Sequence, residues 1–88
     1  MNHSDFFPYF NRHIVFKLNN GIEKSGVVLV KTISPIEADK YKTRYKLITT
    51  DNMVAWKKAE KENNQERVRR LEGEIDINDI VWAELLNY

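Results

Sequence analysis

The chain has 88 residues, enough for one domain with a modest core and too few for a second. Lys and Arg number 14 against 13 Asp and Glu, a formal charge of +1, so no overall field draws the molecule to nucleic acid or anionic lipid. Cysteine is absent, which removes disulfides, thiolate nucleophiles and the usual structural zinc sites.

Taken in order, the N-terminal stretch MNHSDFFPYF carries neither a charged leader region nor a long apolar run, and no later run approaches the ~20 apolar residues of a membrane span. The expectation is a soluble, cytoplasmic protein. Within residues 4–11, Ser4 or Asp5 would cap a short helix whose Phe6, Phe7 and Phe10 form an apolar face. Such a helix cannot stand alone, and its aromatics must pack on the sheet that follows.

Residues Ile14 to Val30 read IVFKLNNGIEKSGVVLV, two apolar runs joined through Asn20-Gly21. Asn-Gly between alternating runs predicts a hairpin with a two-residue type I′ turn, since that turn needs positive φ at both central positions. The register that follows sets Phe16 against Ser25, Ile14 against Val27, and Lys17 against Lys24. Gly26 predicts a bulge or bend. The run Val27–Val30, apolar on both faces, calls for cover on both sides.

Ser34-Pro35 through Lys42 reads as loop, and Thr43–Thr50 resumes strand composition, with Tyr45, Leu47 and Thr49 on one face and Arg44, Lys46 and Ile48 on the other. Asp51 and Asn52 open a helical segment, MVAWKKAEKENNQERVRRL, with Asn63-Asn64 as a break and Asn64 able to cap a second helix. After Gly73, Ile75 and Ile77 alternate with acids in a short strand. Asn78-Asp79 turns the chain, and a last strand follows with Trp82 and Glu84 on one face and Val81, Ala83 and Leu85 on the other.

The whole predicts a mainly β domain over residues 1–88: a small five-stranded antiparallel barrel with a short N-terminal helix and a helical insertion around 52–71. Strands are expected near 13–19, 22–33, 43–50, 74–77 and 81–86. The expected core is Ile14, Phe16, Leu18, Val27, Leu29, Leu47, Ile75, Ile77, Ile80 and Leu85.

The pattern Ile14-x-Phe16-x-Leu18-x-Asn20-Gly21-x4-Gly26-x-Val28 resembles the first half of the Sm1 motif of Sm and LSm-like proteins. A helix before the first strand and a tight turn before the last are similar to the Sm-like and SH3-like order of elements. The match covers the hairpin Ile14–Val28 and implies the small-barrel fold. It does not bring the uridine pocket with it. Where Sm proteins place an Asp and an Asn after the second strand, this chain has Lys31-Thr32-Ile33-Ser34-Pro35. Where they place Arg-Gly before the last strand, it has Leu71-Glu72-Gly73-Glu74-Ile75. The resemblance also implies rings in which the fourth strand of one subunit meets the fifth of the next, and the 51–72 insertion would alter or block that.

Catalytic chemistry finds no foothold. His3 and His13 are the only imidazoles, neither has a positioned partner in sequence, and no glycine loop for phosphate occurs. Asp76, Asp79 and Glu84 lack the spacing of a calcium loop. The expectation is a non-enzymatic module without cofactor or metal.

Two functions remain. Residues 1–46 hold eight bases and four acids, which suggests RNA or single-stranded nucleic acid bound on an outer strand face by Lys17, Lys24, Arg44 and Lys46, with Tyr45 or Tyr41 to stack on bases. From Leu71 onward there are five acids and no base, which suggests a protein partner or a second copy met by the last strand, with Trp82 or Tyr88 exposed.

Overall fold

A computed structural model describes residues 1–33 and 42–86. Helix α1 (His3–Phe6) runs into a 3-10 turn at Phe7–Tyr9. Asn2, rather than Ser4 or Asp5, caps it, accepting from the Asp5 amide at 2.8 Å. Strands β1 (His13–Leu18), β2 (Glu23–Ile33) and β3 (Lys42–Thr49) follow. A 3-10 turn at Thr50–Asn52 leads to α2 (Met53–Lys61) and α3 (Gln65–Leu71), then β4 (Gly73–Glu74), a 3-10 turn at Ile77–Asp79, and β5 (Ile80–Leu85). The expected loop from Ser34 lies, apart from Lys42, outside the described residues, as do Tyr41 and Tyr88.

The strands form one antiparallel sheet in the order β4-β3-β2-β1-β5. The domain is mainly β with helical additions, and the sheet is open: β4 and β5 are its two edges and do not pair with each other. The fourth strand is shorter than expected, because its last bond to β3 is from the Ile75 amide to the Tyr45 carbonyl at 3.2 Å and Ile77 enters a 3-10 turn.

The hairpin register differs by one from the two-residue turn. Leu18 and Ile22 are joined by an amide-to-carbonyl bond of 2.9 Å, and the Gly21 amide donates to the Leu18 carbonyl at 2.9 Å. Only Gly21 has positive φ, +87°; Asn20 does not. The loop is therefore Asn19-Asn20-Gly21, a β-turn closed by a left-handed glycine, and the Asn20 side chain accepts from the Ile22 amide at 3.0 Å. Lys17 consequently faces Glu23, Phe16 faces Lys24 and Ile14 faces Gly26. The expected pairing of Lys17 with Lys24 does not form.

This slip moves β2 by one residue and exchanges its faces. Val28, not Val27 or Leu29, enters the main core with Phe6, Ile14, Phe16, Leu47, Ile77, Ile80 and Ala83. Leu18 and Ile75 pack at its margin, and Leu85 is exposed. On the opposite, outer face, Val27, Leu29 and Ile48 line a cavity with Met53 and Trp56 of α2. The apolar run Val27–Val30 thus has cover on both sides, the aromatics of the N-terminus on one and α2 on the other. Gly26 makes no bulge; it pairs with Ile14 and Thr49, and a Cβ there would collide with the Ile48 carbonyl. The bulge lies in β5, where Leu18 opposes Ile80 but Lys17 opposes Trp82, leaving Val81 over.

Asn64 caps α3, accepting from the Arg67 amide at 3.2 Å, and Asn63 takes a left-handed φ of 54°, which separates the two helices. Glu72 fastens this insertion to the sheet. Its carboxylate accepts from Trp56 Nε1 at 3.0 Å and lies 3.5 Å from Lys31 Nζ.

Candidate functional site

The five residues singled out for nucleic acid do not share a surface. Lys17 is exposed on the outer face between Glu23 and Trp82, while Lys24 lies on the inner face opposite Phe16. Arg44 and Lys46 are on the outer face of β3, but both point to Glu74, with nitrogens 3.3 Å from Oε1. One carboxylate thus partners two cations, and a single positive charge is left over on this face. Tyr45 is half-buried on the core side, stacked on Phe10 with ring centroids 5.7 Å apart and planes 5° apart, and its hydroxyl lies 3.0 Å from His3 Nδ1. It is packed, not offered to a base. The helical insertion sits on the same outer face as Lys17, Arg44 and Lys46 and interrupts it.

His13 Nε2 lies 2.9 Å from Thr50 Oγ1. Among the described residues no three His, Asp or Glu side chains come together in a metal-binding group, and no helix is long and apolar enough to cross a membrane.

What the fold does assemble is an edge. In β5 the Leu86 amide donates to the His13 carbonyl at 2.9 Å, so Glu84 and Trp82, two and four residues back, also turn their backbone groups to β1. Ala83 and Leu85 turn theirs outward. Beyond the bulge, Ile80 also faces outward, and its carbonyl accepts from the Met1 amino group at 2.6 Å. The open part of the edge is therefore Val81 to Leu85. Val81 (57%), Trp82 (42%) and Leu85 (36%) are three of the six large hydrophobics exposed among the described residues, and all lie in these five positions. Single exposed apolar residues are ordinary; three within five positions of one edge strand are the pattern of a candidate contact surface.

Trp82 is legible in the sequence as an exposed residue of the last strand. Val81 and Leu85 are not, because alternation assigns Leu85 to the core and no glycine announces the bulge at Val81. No protein-family model, curated protein or solved structure matches the chain.

Proposed function

We propose that the protein is a non-catalytic interaction module that binds an extended protein segment by adding it as a strand to β5. The observation that carries this reading is the open run Val81–Leu85, with outward backbone groups at Ala83 and Leu85 and exposed Val81, Trp82 and Leu85 side chains. Main-chain bonds would supply affinity, and alternate side chains specificity. An Sm-like or SH3-like small-barrel ancestry fits the hairpin and the helix-first order, and binding at a sheet edge does not depend on it.

The alternative, RNA or single-stranded nucleic acid on the basic residues, keeps the basic excess of residues 1–46 but loses the expected Lys17–Lys24 pairing with the register. Lys17 and Lys24 stand on opposite faces, and Arg44 and Lys46 share Glu74. One experiment separates the two. An alternating Val-Lys peptide, apolar and opposite in charge to Glu84, is added to the isotope-labelled chain and amide hydrogen exchange is followed. Slowed exchange at Ala83 and Leu85 supports the edge. Unchanged exchange there, together with salt-sensitive binding of an oligouridine at Lys17, Lys24, Arg44 or Lys46, favours nucleic acid.

A further inference from the structure

We infer that the segment added to β5 is the β5 of a second copy, paired antiparallel about a two-fold axis at Ala83. This rests on the edge reading above and names its occupant. An isologous contact requires a patch complementary to itself, so the possible registers can be compared residue by residue.

An axis at Glu84 would oppose two carboxylates directly, which disfavours pairing. An axis at Trp82 would set Glu84 against Ile80, a buried apolar residue whose outward carbonyl already accepts from the Met1 amino group. An axis at Ala83 avoids both. The two Ala83 residues exchange their outward amide and carbonyl, Val81 comes level with Leu85 of the other copy, and Trp82 comes level with Glu84 of the other copy. Val81 and Leu85 of one strand thereby meet Leu85 and Val81 of its mate.

Charge supports the same register. Trp82 and Glu84 are on the outer face, where Lys17 is the direct neighbour of Trp82 on β1. Paired strands lie ~4.8 Å apart, so Lys17, Trp82 and Glu84 of the second copy fall in one row across the interface. Among the described residues neither Lys17 nor Glu84 makes an ion pair. Two-fold symmetry forms the row twice, with the ammonium reaching over the indole ring toward the carboxylate.

The test is sedimentation of the full chain from micromolar to millimolar concentration, with Lys17→Glu and Glu84→Lys made separately. Both sites are exposed, so the variants keep the fold. The parent should dimerise reversibly, and each variant should self-associate about tenfold more weakly, since each turns both rows into like charges. An equimolar mixture of the two variants should regain the parent's association, because each then supplies the charge the other lacks. A mixture no better than its components overturns the register and the inference. A parent monomeric throughout overturns the second copy as occupant; the Val-Lys exchange experiment then decides the edge itself, which stands if Ala83 and Leu85 are protected and fails with the inference if they are not.

Discussion

Lys17 stands directly across the β1–β2 ladder from Glu23, and this pairing reports the phase of the whole hairpin. Had the turn held two residues, Lys17 would meet Lys24 and every β2 side chain would change face. The pair is exposed, so its own energy is small, but its sign is diagnostic. Replacing Glu23 with Lys should destabilise the domain by about 0.2–1 kcal/mol in urea denaturation at low salt, and the loss should shrink as salt is added. Replacing Lys24 with Glu should change stability much less, because Lys24 faces Phe16. Equal effects at both sites would contradict the register.

Gly26 is held for a different reason from Gly21. At Gly21 the left-handed φ is required by the turn and open space surrounds the missing Cβ; at Gly26 the backbone of Ile48 occupies the space itself. Gly26→Ala should therefore cost about 2 kcal/mol or more, since the β2–β3 ladder must part to admit a methyl group. Thermal unfolding checks this. A variant that melts with the parent would show that β3 lies farther from Gly26 than described.

Much of this architecture is legible in the sequence, and the failures have local causes. Alternation in β3 places Tyr45, Leu47 and Thr49 on one face and Arg44, Lys46 and Ile48 on the other, as found, because nothing interrupts the period of two. In β2 the same reasoning miscarries by one residue. Asn20-Gly21 fits two turn types, and the Asn20 side chain, bonded to the Ile22 amide, favours the one that takes Asn19 into the loop. In β5 the bulged residue is a valine, which carries no sequence mark. The candidate edge is legible only in part for that reason: alternation places Trp82 outside, but it assigns Leu85, which is exposed, to the core. The basic residues were visible individually, but their pairing with Glu74 depends on the β3–β4 register, which two residues of β4 cannot announce.

Glu72 joins three elements that sequence separates, taking the Trp56 indole of α2 and the Lys31 ammonium of β2 on one oxygen. Its side chain is only 7% exposed, so removing it leaves an indole N–H without its acceptor in a partly closed site. Glu72→Ala should cost about 1.5–3 kcal/mol, the range for a hydrogen bond to a charged group. In a Trp82→Phe background the emission of Trp56 should shift to the red as the insertion loosens. Unchanged emission and stability together would mean that α2 and α3 are held by Ala59 and Val68 alone.

Val27 and Val28 are adjacent, chemically identical and on opposite faces of β2, which makes them an internal control for the fold. Val28 is fully buried among Phe6, Ile14, Phe16 and Leu47, a cluster without buried polar side chains. A threonine there keeps the shape and inserts a hydroxyl with no side-chain partner, at a cost of about 1–3 kcal/mol. Val27 is half-buried and lines the open cavity beneath α2 together with Asn11, His13 and Lys57. Val27→Thr should therefore cost clearly less, because its hydroxyl has polar neighbours and room for water. Denaturation of the two variants side by side measures the difference directly, with backbone propensity and side-chain volume cancelling. Should Val27→Thr prove the more damaging, the sheet faces are exchanged, the two-residue turn is correct after all, and the outward set of β2 side chains must be reassigned.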